Sequence, residues 1–207
     1  MKARIAVLVS GGGTNLQALL DAEAGGKLPH GEIALVISNN PNAYALERAK
    51  QFGVPGAVIT KKECGSQQAI EAQLQAVLER NGTDVIVLAG LMAILSEKFT
   101  SKWPKRILNI HPSLIPSFCG EGMYGLRVHQ AALQKGVKVT GATVHYVNDV
   151  CDGGEIIAQK AVVVLPGDTP QTLQRRVMER AEWVLLPQAT EQVCAALCRQ
   201  APWKQEF

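Results

Sequence analysis

Short apolar runs alternate with segments of helical periodicity along this chain, and that alternation limits its fold more than any other feature. The apolar runs lie at Ile5–Val9, Ile33–Ile37, Ala57–Ile59, Val85–Ala89 and Ile107–Ile110. Between them, apolar residues recur at helical spacing in Asn15–Glu23, Ala43–Phe52 and Gln67–Arg80. Strands that alternate with helices are typical of an α/β fold with a mostly parallel sheet. We therefore predict a Rossmann-like, doubly wound arrangement.

The second half of the chain has a different pattern. A glycine-rich stretch, Ser117–Gly125, precedes a short helix predicted at His129–Gln134. Two further strands are predicted at Gly141–Val147 and Ile156–Val164, separated by the turn Asp152-Gly153-Gly154. Strands joined in this way run antiparallel, so we expect them to extend the parallel sheet into a mixed one.

A long C-terminal helix completes the predicted fold. Thr169 is expected to cap its N-terminus and Pro170 to be its first residue. Its apolar positions keep helical spacing at Leu173, Val177, Ala181, Val184 and Leu185. We expect Pro187 to kink or interrupt this helix. Because no linker or repeat divides the chain, a single domain over residues 1–207 is predicted.

Composition and charge exclude several classes of protein. The 47% hydrophobic and 19% charged content is ordinary for a globular protein, and no apolar run reaches the 18 or so residues of a membrane span. Only five apolar residues precede Ser10, too few for a signal-peptide core, so we expect a cytoplasmic protein, or an organellar one whose transit peptide has been removed.

Charge and cysteine content point to small ligands. A net charge of +3 and 5% aromatic content favour anionic metabolites over nucleic acids. Five cysteines without a Cys-x-x-Cys pair suggest reduced thiols and no metal site.

The segment Ser10-Gly11-Gly12-Gly13-Thr14-Asn15 follows the first predicted strand and opens the first helix. Bare backbone N–H groups and the helix dipole make such a loop an anion site. The second strand ends Ser38-Asn39-Asn40 instead of in the acidic residue of a dinucleotide fold, and no lysine follows the last glycine as in a P-loop. A single phosphomonoester is the favoured ligand, and a tight turn without a ligand is the alternative.

Asn109 and His111 end the apolar run that begins at Ile107, and strand alternation turns both side chains to the same side of the sheet. An amide and an imidazole aimed at one carbonyl oxygen suit the stabilisation of an oxyanion, worth on the order of 3 kcal/mol per donor. Asp152, 41 residues after His111, supplies a carboxylate that would hold the imidazole. Separate structural roles for the histidine and the Asp-Gly-Gly turn are the alternative.

Over nearly its whole length the chain resembles the folate-dependent phosphoribosylglycinamide (GAR) formyltransferases. The resemblance is carried by residues Ser10–Ala18, Val87–Ser96, Leu108–Leu114, Val144–Val147 and Asp152–Gly154. The Asn-His-Asp set is shared with methionyl-tRNA formyltransferase and formyltetrahydrofolate deformylase. Because those relatives carry additional domains for which this chain has no room, and lack the phosphate loop, the resemblance favours the single-domain GAR enzymes.

The resemblance also implies roles for individual residues. The catalytic set that it implies is Asn109, His111 and Asp152. The implied contacts with the phosphate and ribose of GAR are Gly13, Thr14, Asn15 and Glu182. The implied folate contacts are Gln67, Met92, Ala93, Ile94, Leu95 and again Asn109. Bacterial relatives often carry arginine at the positions of Gln67 and Ala93. Periodicity alone would make Glu182 solvent-exposed and Met92–Leu95 part of the core at a strand end.

The implied activity is transfer of the formyl group of 10-formyltetrahydrofolate to the GAR amine in purine biosynthesis. The expected partners are these two small molecules, without metal, nucleic acid or membrane, and the expected state is a monomer or homodimer. His129 and His145 are expected to be bystanders. Two alternatives are a deformylase that passes the formyl group to water, and a noncatalytic module that binds a phosphate ligand.

Overall fold

The computed structural model describes residues 2–91 and 94–200. By its internal contacts the chain divides into two compact units. The described part of the first unit comprises residues 2–91 and 187–200, and the second comprises Ile94–Leu186. The single domain that the sequence suggests therefore stays a prediction.

The first unit has parallel strands separated by helices. Its strands and helices are β1 (Ala3–Val9), α1 (Thr14–Ala24), β2 (Gly31–Ser38), α2 (Tyr44–Gln51), β3 (Gly56–Val58), α3 (Lys61–Cys64), α4 (Gln67–Arg80) and β4 (Val85–Leu88). β1 pairs in parallel with β2 and with β4, and β2 pairs in parallel with β3. Most side chains of β1 and all of those in β4 are buried, as expected for parallel strands that are covered on both faces.

The second unit contains the antiparallel strands. Its strands and helices are α5 (Glu97–Thr100), β5 (Ile107–His111), α6 (Leu126–Lys135), β6 (Val139–Tyr146), β7 (Ile156–Val163) and α7 (Pro170–Val177), followed by a π-helical segment, Met178–Glu182. β6 pairs antiparallel with both β5 and β7. The final helix, α8 (Trp183–Gln200), begins in this unit.

The predicted fold class is confirmed. Among the described residues the strand order is β3-β2-β1-β4 in the first unit and β5-β6-β7 in the second, the parallel strands of a doubly wound fold and the antiparallel strands expected to follow them. Each predicted strand lies within two residues of an observed one, and the helix predicted at Gln67–Arg80 has those bounds. The short helices α3 and α5 were not predicted, because four residues are too few for a periodicity signal.

The start of the C-terminal helical segment was predicted correctly, but its interruption was not. Thr169 caps α7 with its side chain, accepting from the backbone N–H of Thr172, and Pro170 is the first helical residue. Pro187 does not interrupt the helix, because α8 continues through it, and the alternative expectation of a kink at Pro187 stays a prediction. The backbone hydrogen bonds change from the i→i+4 to the i→i+5 pattern in the π segment, Met178–Glu182. This segment lies one turn before Pro187, which has no backbone N–H to donate.

Among the described helices, none combines the length and the apolar character that a membrane crossing requires.

The carboxylate of Asp168 fastens the loop before α7 to that helix. It accepts from both Nη atoms of Arg176, at 2.6 Å from Nη2, and from the backbone N–H of Leu165 at 2.8 Å and the hydroxyl of Thr172 at 3.1 Å. Hydrogen bonding to Arg176, which outweighs the opposing effect of burial, lowers the pKa of Asp168 to about 2.

We predict a pH-dependent loss of stability when this carboxylate is removed. Because the pKa is lowered on folding from its ordinary value of 3.8 to about 2, the stabilisation is fully present above pH 4 and disappears as the pH falls through 2. Asp168→Asn should therefore lower the free energy of unfolding at pH 7, and the difference from the unmodified protein should shrink between pH 4 and pH 2. Denaturant unfolding at a series of pH values measures this. The exposed Asp149→Asn is the matched control, and an equal effect of the two variants would contradict the prediction.

Candidate active site

Asp152 lies at the centre of a polar cluster in the second unit. Its side chain is buried, with 9% of its area exposed. Oδ1 accepts a hydrogen bond from Asn109 Nδ2 at 3.4 Å, and Oδ2 accepts one from the backbone N–H of Gly120 at 2.9 Å. His111 Nδ1 lies 3.4 Å from Oδ2, and His145 Nε2 lies 3.5 Å from Oδ1. The carboxylate thus joins groups from two strands and a loop.

The turn that carries Asp152 has little freedom to move. The backbone of Asp152 is in the left-handed region, at φ 55°. Two residues later, Gly154 lies so close to β6 that a Cβ atom would be 1.8 Å from the carbonyl oxygen of Tyr146. Glycine is therefore required at this position for the turn to reach its place.

β5 presents Asn109 and His111 on the same side of the sheet, as strand alternation predicted. Both side chains reach the carboxylate of Asp152. His111 is buried, with 4% of its area exposed, whereas Asn109 is half-buried. The structure therefore brings together the three residues that the sequence grouped as a catalytic set.

Each nitrogen of His111 faces an oxygen atom. Nδ1 faces Asp152, and Nε2 lies 2.9 Å from the backbone carbonyl oxygen of Phe118. A carbonyl oxygen only accepts, so Nε2 carries a proton and donates. Phe118 itself is in the left-handed region at φ 53°. The N–H that would address a reacting oxygen is engaged by a loop carbonyl in this arrangement.

His145 also lies in this cluster, near Asn109 and Asp152, and its expected bystander role stays a prediction. It lies directly opposite Asn109 in the antiparallel pairing of β5 and β6, and its Nε2 is 3.2 Å from Asn109 Nδ2. Its Nδ1 donates to the carbonyl oxygen of Tyr146 at 2.8 Å. When the His145 ring is neutral, its Nε2 accepts a hydrogen bond from Asn109. When the ring is protonated, Nε2 presents an N–H to Asp152. The pairing of β5 with β6, which puts His145 opposite Asn109, places this histidine in the cluster, but the sequence alone does not define the register of that pairing.

The surroundings keep Asp152 ionised. Burial acts to raise its pKa, but hydrogen bonding to His145 and to the N–H of Gly120, with the charges of His111 and His145, outweighs burial and lowers the pKa below its ordinary value of 3.8. The carboxylate is therefore an acceptor at neutral pH.

No cysteine near Asp152 is an activated nucleophile. Burial first, and then the charge of Asp152, raise the pKa of Cys119 and of Cys151, so both thiols stay protonated at neutral pH. Within the described ranges, no group of three or more histidine, cysteine, aspartate and glutamate residues could hold a metal ion. The described cluster offers hydrogen-bond donors and a base.

His129 lies on α6 and is fully buried. Burial, and secondarily the charge of His111, lower its pKa to about 4, so the ring is neutral at physiological pH. Neither of its ring nitrogens has a hydrogen-bond partner among the described residues. It shares no hydrogen bond with the Asp152 cluster, and its expected bystander role stays a prediction.

The glycine loop lies in the first unit, at the N-terminus of α1. Gly13 is the N-cap residue in the left-handed conformation, at φ 70°, and no side chain caps the helix there. A Cβ atom on Gly13 would lie 2.6 Å from the Cβ of Ala45 in α2. The first turn of α1, which includes Thr14 and Asn15, contains no acidic residue. These features are compatible with an anion, and the anion site stays a prediction.

The remaining predicted site residues differ from one another in exposure. Glu182 closes the π segment with 6% of its area exposed, so the exposure that periodicity predicts is wrong. Ile94 is 58% exposed and Leu95 is buried, which corrects the expectation of a continuous core segment at a strand end. Gln67 is exposed at the start of α4 and donates to Glu71 at 2.9 Å. Met92 and Ala93 lie outside the described residues.

Residues 3–190 match the family described as "Formyl transferase". The chain is 42% identical over 184 residues to the phosphoribosylglycinamide formyltransferase of Haemophilus influenzae, covering 89% of this chain and 84% of that protein. It is 44% identical over 199 residues to the trifunctional purine biosynthetic protein adenosine-3 of Bos taurus, covering 96% of this chain but 19% of that protein. This chain thus spans about a fifth of the bovine relative's length.

A solved structure is also similar. Glycinamide ribonucleotide transformylase 1 from Symbiobacterium toebii superposes with a TM-score of 0.88 at 42% identity, covering 94% of this chain and 89% of that one.

We predict that Gly154→Ala destabilises the protein. The added methyl group would overlap the backbone of β6, and overpacking of this kind costs about 1–3 kcal/mol, or roughly 2–12 °C in Tm for a chain of this size. Thermal unfolding followed by circular dichroism measures the change. In the matched control Gly11→Ala the methyl group meets nothing within 4 Å, and Tm should not fall. Equal Tm values for the two variants would refute the close approach.

Proposed function

The chain belongs to the formyl transferase family, and from that premise we propose that it transfers the formyl group of 10-formyltetrahydrofolate to the amine of 5'-phosphoribosylglycinamide. The products are formylglycinamide ribonucleotide and tetrahydrofolate. The observation that carries this proposal is the contact of Asp152 with both Asn109 and His111. This arrangement supports acyl transfer that needs no covalent enzyme intermediate.

In the proposed reaction the uncharged glycinamide amine attacks the formyl carbon. A C–N bond forms, the C=O π bond opens, and negative charge develops on the oxygen. His111 Nε2–H breaks its hydrogen bond with the carbonyl oxygen of Phe118 and donates to this oxygen instead. Asn109 Nδ2 donates to the same oxygen in place of one of its two long contacts, at 3.2 and 3.4 Å.

Asp152 has two tasks in this scheme. It holds His111 at Nδ1, which fixes the direction of Nε2. Because its pKa is lowered, the carboxylate is ionised and is able to accept the proton that the attacking amine loses, through a water molecule. The intermediate then collapses: the C=O double bond re-forms, the bond from the formyl carbon to the folate nitrogen breaks, and the proton taken up by Asp152 passes through water to that nitrogen.

Each part of the two substrates is assigned its own contacts. Gly13, Thr14 and Asn15 bind the phosphate, supported by the bare N-terminus of α1. Glu182 holds the ribose hydroxyls, for which a buried carboxylate is a suitable acceptor. The folate contacts are proposed for Asn109, Gln67 and the segment of residues 92–95.

We predict that turnover requires both substrates. Tetrahydrofolate should be released only when the protein, 10-formyltetrahydrofolate and phosphoribosylglycinamide are all present, and the formyl group should appear on the amine. Absorbance of the folate and mass spectrometry of the ribonucleotide measure the two products. Free formate that appears without the ribonucleotide would indicate a deformylase. Phosphate-ligand binding without any folate turnover would indicate a noncatalytic module.

We predict that His111→Ala reduces kcat by roughly 10²- to 10⁴-fold, because an oxyanion donor and acid–base group is lost. The KM for the ribonucleotide should remain nearly unchanged, since its phosphate contacts lie elsewhere in the sequence. Steady-state kinetics of the purified variants measure both constants. His30→Ala is the matched control, because His30 is a surface histidine whose ion pair is with Glu191. Near-normal turnover in a folded His111→Ala variant would refute the assigned role.

A further inference from the structure

The guanidinium group of Arg48 lies against the glycine loop. Arg48 is on α2, one helical turn after Tyr44. Its Nε donates to the carbonyl oxygen of Gly12 at 2.8 Å, and its Nη1 donates to the side-chain oxygen of Gln17 at 2.7 Å. The arginine therefore connects α2 with the loop and with the first turns of α1.

The positive charge of Arg48 is not neutralised by the contacts that hold it. Both of its acceptors are uncharged, and no carboxylate forms an ion pair with it in the described part of the chain. Its third contact is with the ring of Tyr44, whose centroid is 5.0 Å from Cζ. Within residues 2–91 and 94–200, two of the five guanidinium N–H donors have acceptors, which leaves three for a ligand.

Two donors from α2 hold the backbone of the glycine loop. The backbone N–H of Ala45 donates to the carbonyl oxygen of Gly11 at 3.1 Å, next to the Arg48 contact with Gly12. A Cβ atom added to Gly11 or Gly12 would meet nothing within 4 Å, so there is open space beside both residues. The carbonyl groups of Gly11 and Gly12 are both occupied by donors of α2.

We infer that Arg48 is a positioning residue for the phosphate group of the substrate, an inference that rests on the proposed function. By holding the Gly12 carbonyl it removes a repulsive oxygen from the anion's approach and keeps the following N–H groups in position. Its uncompensated charge adds to that of the α1 N-terminus. The ligand class is a phosphomonoester, preferred in its dianionic form.

Binding of ribose 5-phosphate, with ribose as the reference, tests this inference without requiring turnover. Calorimetry should show that Arg48→Gln weakens ribose 5-phosphate binding by about 10- to 100-fold, the size of a lost charged hydrogen bond. Arg48→Lys retains the positive charge but lacks the planar set of N–H donors of the guanidinium group. Its affinity for ribose 5-phosphate should therefore lie between those of Arg48→Gln and the unmodified protein. Lys50→Gln removes an exposed charge from the same helix and should bind like the unmodified protein.

Kinetics separate a phosphate-directed role from a general structural one. Arg48→Gln should raise the KM for phosphoribosylglycinamide and change kcat little, and should leave kcat/KM unchanged for glycinamide riboside, which lacks the phosphate. An equal loss for both substrates would show a structural role and overturn the inference. Unaltered binding of ribose 5-phosphate by Arg48→Gln, or none by the unmodified protein, would also overturn it.

The two proposals fail in different ways. If Arg48-dependent binding of ribose 5-phosphate occurs but no formyl group reaches the ribonucleotide, the proposed function is wrong and the role of Arg48 in phosphate binding stands. If formyl transfer occurs and Arg48→Gln has a normal KM, the inference is wrong and the function stands. Should Arg48→Gln fail to fold, as judged by thermal unfolding, Arg48→Lys carries the same comparison.

Discussion

The position of the Asp152 carboxylate is the constraint on which the proposed catalytic arrangement depends. It is the common acceptor for Asn109 and the N–H of Gly120, and it faces both His111 and His145. Its place is set by the backbone, through a left-handed residue and the contact of Gly154 with β6. Glycine at one position therefore determines whether side chains from β5 and β6 share one carboxylate.

This arrangement favours electrostatic stabilisation over nucleophilic attack by the protein. The two thiols beside Asp152 have raised pKa values, whereas the pKa of Asp152 is lowered. The available chemistry is thus a fixed imidazole donor, an amide and an ionised base, which together suit an incoming amine and a developing oxyanion. His111 Nε2 donates to the carbonyl oxygen of Phe118, so in the proposed mechanism a reacting oxygen would take the place of this carbonyl.

Local rules predicted what depends on local geometry. Strand alternation placed Asn109 and His111 on one side of β5, and capping rules placed Thr169 and Pro170. His145 was missed because the pairing of β5 with β6 is a long-range choice that the sequence does not specify. Glu182 was misplaced because a π turn uses i→i+5 hydrogen bonds and rotates the positions that follow it, which breaks the 3.6-residue period.

A crystal structure with a stable analogue of the tetrahedral formyl-transfer adduct would show which group faces the reacting oxygen. We expect the oxygen of the adduct to lie about 2.7–3.1 Å from His111 Nε2, in the place of the Phe118 carbonyl, while Nδ1 remains against Asp152. An adduct oxygen that faces another group, with the bond from His111 to Phe118 intact, would contradict it.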